Sequence, residues 1–148
     1  ERRAAAAEIL GRDELGLDPR RRKEIGERVL ALIAQPEMAP LFAASSIAEV
    51  SFSGEIKLPD GSRRAVAGRV DRLALTPRAM LIADFKTSLP SKGQALTRAL
   101  VQLAIYRALA RNLYPDLAIR CFLIGLDGPH RLEPDEKDLE DALKLIGS

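Results

Sequence analysis

The sequence predicts an α/β domain: a mixed β-sheet flanked by helices. Three observations carry that expectation. The segments run helix, three strands, helix, strand, helix, an order that packs helices around a sheet. The three middle strands are joined by short turns, which makes them an antiparallel meander. The chain has 148 residues, 47% hydrophobic and 30% charged, an ordinary globular balance, and at this length roughly 70% of the unfolded surface is buried.

Each element has its own signal. Residues 2–10 are Ala-rich and read as helix, punctuated by Gly11 and Gly16. Pro19 opens a second helix to about Ala34, with Ile25, Val29, Leu32 and Ile33 at helical spacing, and the Pro36 to Pro40 segment ends it. The run Arg20-Arg21-Arg22-Lys23 at its start reads as solvated surface rather than a nucleic-acid contact. From Ile47 to Lys57 the pattern is strand-like, and Asp60-Gly61 marks a tight turn. A second strand spans about Arg64 to Leu75, Thr76-Pro77 turns the chain, and a third runs from Met80 to Lys86. The helix from Gly93 to Asn112 has Leu96, Leu100, Val101, Ala104, Ile105, Ala108 and Leu109 as its apolar face. A strand from Leu117 to Leu126 and a helix from Pro134 to Ile146 close the chain. No linker or internal repeat divides it, so residues 1–148 read as one domain. Residues 1–45 form its N-terminal helices, 46–126 its core and 127–148 a C-terminal helical extension.

Composition excludes several classes. No apolar stretch reaches the ~18 residues of a membrane span, and no secretory signal is present. The single cysteine, Cys121, rules out a disulfide framework, a thiolate zinc site and an iron–sulfur cluster, and points to a reduced, cytoplasmic setting. Aromatics are 4% with no Trp, which argues against the usual base-stacking single-strand binders. The lone His130 argues against a Ser/His/Asp triad or a multi-histidine metal site. The chain starts at Glu1 without an initiator Met, so a piece of something longer is expected.

The net charge of +2 is unevenly placed. Lys86 to Arg120 carries six basic residues and one acid, giving +5, and Cys121 to Ser148 carries three basic and seven acidic residues, giving −4. A basic middle suits a polyanion, although most charge runs are solvated helix faces.

Side chains two apart on a strand share a face. Asp84 and Lys86 therefore project together from the third strand, and Phe85 points to the other side. By themselves they read as an exposed ion pair contributing under ~1 kcal/mol. Asp71 changes that balance. It lies in Gly68-Arg69-Val70-Asp71-Arg72-Leu73 on the neighbouring strand, after a glycine that lets another group approach the backbone. Two carboxylates side by side are destabilising unless a cation lies between them. With the Phe85 carbonyl they offer hard oxygen ligands that suit Mg²⁺ or Mn²⁺. Glu49 is either a third carboxylate or a solvated strand residue. Gln102 and Tyr106, four apart, stack on one helix face with Arg98 a turn earlier. That stripe lies off the apolar face; it carries donors suited to phosphate, and helix-surface polarity explains it equally.

GRVDRL at 68–73, DFKT at 84–87 and QLAIY at 102–106 together resemble the RecB-type branch of the PD-(D/E)XK nucleases. The wider match, with AEVSF at 48–52, LYPD at 113–116 and the strand Ile119 to Gly128, is similar to the C-terminal nuclease domain of bacterial AddA-type helicase–nucleases and covers about residues 25–135. The resemblance implies a restriction-endonuclease-like core. It makes Asp71 and Asp84 metal ligands, Lys86 the catalytic lysine and Glu49 a supporting acid. Gln102 and Tyr106 become the motif that orients the lysine and the DNA backbone. It also implies a Mg²⁺- or Mn²⁺-dependent DNA exonuclease acting in double-strand break end processing. Helicase domains would lie upstream in the same bacterial chain, with an AddB-like partner subunit. The chain departs from the family in one respect: RecB-type nucleases usually carry a metal-ligating histidine upstream of these motifs, and none lies between Glu1 and the first of them. Either it precedes Glu1 or this member lacks it. A stand-alone exonuclease of the same fold and a non-catalytic DNA-end-binding module are the rival readings.

Overall fold

The computed structural model describes residues 1–12, 15–127 and 130–146; Gly128, where the resemblance ends its last strand, lies outside the described residues. Helix α1 (Arg2–Leu10) packs on α2 (Pro19–Ile33), and a 3-10 helix spans Pro36–Phe42. Strands β1 (Ile47–Lys57), β2 (Arg63–Leu75) and β3 (Ala79–Lys86) follow, then α3 (Gly93–Leu113), β4 (Ala118–Gly125), β5 (His130–Leu132) and α4 (Glu136–Lys144). Asp18 caps α2, its carboxylate accepting from the Arg21 amide at 2.9 Å, and a reciprocal Asp135–Asp138 capping box starts α4. Among the described residues no helix is long and apolar enough to cross a membrane.

The sheet is mixed and ordered β1-β2-β3-β4-β5. β1, β2 and β3 form the antiparallel meander, and β4 pairs parallel to β3 after the α3 crossover. Two cores sandwich the sheet. Phe52, Ile56, Val70, Leu73, Met80, Ile82, Cys121 and Leu123 pack against α3 and α4 on one face. Leu32, Met38 and Leu41 pack on Leu81, Ala83, Phe122 and Ile124 on the other.

Two expectations are corrected. β5 is a three-residue strand within the segment read as a C-terminal helical extension, and its exposed His130 pairs with Gly125. The buried side of α3 matches the anticipated face only in part. Ala104 and Leu109 are buried as expected, and so are Ala99, Leu103, Tyr106 and Ala110, while Leu96, Leu100, Val101, Ile105 and Ala108 are partly buried against the same core. The apolar residues of α3 are more numerous than the side against the sheet needs, so the helix's own pattern does not single that side out.

Candidate active site

The sheet is interrupted at Asp71. Between β2 and β3 the ladder ends at Arg72↔Ala83, one step short of Asp71 and Asp84. Between β1 and β2 it pairs Ala48 with Arg72 and Val50 with Val70 but omits Glu49 and Asp71 between them. Val70 and Leu73 both reach the α3-side core, so the two-residue alternation slips at this point. Where the ladder stops, the Asp71 carboxylate takes its place and accepts from the Phe85 amide at 2.8 Å. Glu49, directly across in register, has φ 55, the one positive φ outside glycine among the described residues. A left-handed non-glycine residue costs about 1–2 kcal/mol, a local strain of the sort that collects at functional sites.

Asp84 and Lys86 share the α3 side of β3, as expected, but their pair is not exposed. Asp84 is 4% exposed, and its Oδ2 lies 2.8 Å from the Lys86 ammonium. The alignment is poor enough that Oδ2 makes no hydrogen bond. Burial above all pushes the Asp84 carboxyl above its ordinary value; Lys86 pulls it back, and the like charge of Asp71 pushes it up again. A buried carboxylate oxygen that meets an ammonium out of hydrogen-bond alignment, beside a second carboxylate, sets two negative charges against one positive. These residues fit a hard divalent ion through two carboxylates. Among the described residues no third acid, His or Cys joins them. Glu49 remains largely exposed and pairs with Arg69 at 3.9 Å.

The helix stripe is corrected in one member. Tyr106, expected off the apolar face, is 3% exposed, and its ring lies so close over Gly68 that a Cβ there would sit 2.5 Å from Cε1. That explains the glycine ahead of Asp71. The Tyr106 hydroxyl donates to the Arg69 carbonyl at 2.7 Å and accepts from Gln102 Nε2 at 2.9 Å. Gln102 Oε1 in turn accepts from Lys86 Nζ at 3.4 Å. Since an ammonium only donates, the amide oxygen must face it, which leaves the amide nitrogen for the tyrosine. One chain of hydrogen bonds thus links the backbone of β2 to the lysine of β3. Arg98 is exposed and, with Arg69, Val101, Gln102, Ile105 and Asp71, lines a groove of about 550 Å³.

A family model described as the PD-(D/E)XK nuclease superfamily matches residues 1–145. No curated protein matches the sequence. A solved structure described as "Crystal structure of SSO0001" is 20% identical, aligning over 99% of this chain and 71% of its own with a TM-score of 0.41, too distant to bear on the site.

Proposed function

The chain belongs to the PD-(D/E)XK nuclease superfamily, and on that premise we propose that it is the metal-dependent DNA nuclease domain of a bacterial end-processing helicase–nuclease of the AddA type. The observation that carries the proposal is the meeting of Asp71, Asp84 and Lys86 where two strands part, with one Asp84 oxygen buried and without a hydrogen bond. Asp71 and Asp84, with the Phe85 carbonyl, would hold Mg²⁺ or Mn²⁺. When bound there, the cation supplies Lewis-acid polarisation of the phosphodiester and lowers the pKa of water.

The chain's own groups do the rest. Lys86 places a positive charge where negative charge builds on the phosphate oxygens, and orients the attacking water. Gln102 and Tyr106 are positioning residues that hold the ammonium in place. Arg98 and Arg69 line the groove next to the carboxylates and suit backbone phosphates, which are read without regard to sequence. Glu49, exposed and paired with Arg69, would support the two carboxylates only as an outlying charge. The order of the GRVDRL, DFKT and QLAIY motifs supports the RecB-type assignment, and with it upstream helicase domains and an AddB-like partner.

Asp84→Ala and Lys86→Ala are expected to abolish Mg²⁺-dependent cleavage of linear DNA, by about 10²-fold or more for the lysine, with unchanged circular dichroism. Wild-type rates in both variants would remove these residues from the reaction. A protein extended upstream should cut faster than residues 1–148, because two carboxylates leave much of an octahedral shell to water.

A further inference from the structure

Glu49 has a left-handed backbone, with φ 55, inside a strand whose register is unbroken on either side. Ala48 pairs with Arg72 and Val50 with Val70, so neither strand carries an inserted residue. Both strands nevertheless change sides at this level. Val50, Phe52 and Ile56 of β1 face α3, as do Val70 and Leu73 of β2, while Ala48 and Arg72 border the opposite face beside Phe42. Counted from Val70, the alternation puts Asp71 on the face away from Asp84; counted from Leu73, it puts Asp71 on the same face. The carboxylate takes neither place. It lies near the plane of the sheet, where its Oδ2 accepts from the Phe85 amide at 2.8 Å, and Asp71 lines a hollow on each face.

We propose that Glu49 is a positioning residue that acts through its backbone rather than its carboxylate. Its left-handed conformation lets β1 change sides where β2 does, and so holds the Asp71 carboxylate between the Phe85 amide and the cation; the part played by the cation rests on the nuclease reading above. A left-handed residue breaks the two-residue alternation of a strand, as it does in one class of β-bulge. Here it does so without lengthening either strand, which keeps the ladder in register above and below. Fixing Oδ2 on the Phe85 amide also fixes where Oδ1 points, and hence what a cation beside Asp84 meets. The side chain of Glu49 is not what the position needs. It lies 3.9 Å from Arg69 with both side chains largely exposed, and such a pair contributes little. Glycine and asparagine adopt the left-handed region most readily, glutamate less so and a β-branched residue least. The strained backbone persists because the paired residues before and after it fix its ends.

The test compares Glu49→Gln, Glu49→Gly, Glu49→Asn and Glu49→Val in residues 1–148. Hydrogen-exchange protection of single amides, read by NMR in EDTA, follows the bond from Phe85 to Asp71. Loss of the free Mn²⁺ EPR signal on titration gives the metal affinity. Glu49→Val should lower Phe85 protection about tenfold, leave Met80 and Ile82 protected, and weaken Mn²⁺ about tenfold. Glu49→Gln, Glu49→Gly and Glu49→Asn should keep both values within about twofold, and Glu49→Gly should melt about 2–4 °C above the wild type. If Glu49→Val does not fold, the decision passes to Glu49→Gly, whose higher Tm and full Phe85 protection together carry the proposal. A Glu49→Val protein that keeps both values overturns it. So does a Glu49→Gln or Glu49→Gly protein that loses them, which would assign the role to the carboxylate. Phe85 protection that follows the backbone while no form binds Mn²⁺ leaves the positioning of Asp71 standing and removes the metal site, and the nuclease with it.

Discussion

Gly68 and Tyr106 lie 38 positions apart in the chain yet act as one unit. The tyrosine ring occupies the space a side chain on residue 68 would need, and its hydroxyl ties the Arg69 carbonyl to Gln102. A methyl group at 68 must push the ring outward and carry Gln102 away from Lys86. Gly68→Ala is therefore expected to cost about 1–3 kcal/mol, the usual penalty for overpacking. Tyr106→Phe keeps the ring and removes only the hydroxyl, at about 1–2 kcal/mol for the orphaned carbonyl. Urea denaturation gives both values. If the relay positions the lysine, both variants should also lower kcat more than they raise KM. A loss of stability with kcat unchanged would reduce Tyr106 to packing. From sequence, Gly68 signals a close approach of something to the backbone, but nothing names the tyrosine, because a phenol four residues from a glutamine reads as helix surface.

At the scale of elements, the strands were legible because their signals are local. Alternation of period two, Asp60-Gly61 and Thr76-Pro77 set the meander to within a residue or so. The buried face of α3 was legible only in part, at Ala104 and Leu109, since the rest of that choice is made by the sheet and by α4 rather than by the helix's own pattern. The same contact changes the meaning of the charge runs. Arg107, only 8% exposed, and Arg111 both donate to Glu136 Oε1, at 2.6 and 2.9 Å. Arg120 makes two hydrogen bonds to Glu133. Half the basic residues of the +5 stretch are thus taken up by the acidic C-terminal segment and Lys86 by Asp84, which leaves Lys92 and Arg98 of that stretch for a polyanion. Hydrogen bonds from Arg111 and then Arg107 hold Glu136 below its ordinary 4.5, and Arg120 does the same for Glu133. A lowered folded-state value means stability that is present above about 4.5 and lost as pH falls through the lowered value. Acidification below that point should lower hydrogen-exchange protection, relative to the intrinsic rate at each pH, in α4 before it does so in β3 and β4. Glu136→Gln should produce the same local loosening at pH 7, and Glu140→Gln should not. Uniform exchange across the chain would show that these ion pairs do not hold α4.

For the whole molecule, Asp71 and Asp84, where β2 and β3 part, set a charge conflict that Lys86 offsets in part. Because burial raises the Asp84 carboxyl above its ordinary 3.8, the folded state disfavours the ionised form. Its stability is then greatest below that pH, where the group is protonated folded and unfolded alike, and declines as pH rises through the raised value. In EDTA at pH 7, Asp84→Asn should therefore melt above the wild type, with the gap closing below pH 3.8. A divalent cation should reverse the order. Binding to the folded state alone adds RT ln(1 + [L]/Kd), about 2.7 kcal/mol at a hundredfold excess over Kd. At roughly 2–4 °C per kcal/mol for a chain of this size, that is a rise of about 5–10 °C in Tm. The asparagine variant lacks the second charge and should gain little, so that in saturating Mg²⁺ the wild type melts higher. Mn²⁺ should act at lower concentration, because it gives up its water more readily. A wild-type Tm indifferent to millimolar concentrations of both ions would mean that Asp71 and Asp84 do not share a cation, and Lys86 alone would then be left to offset the buried charge.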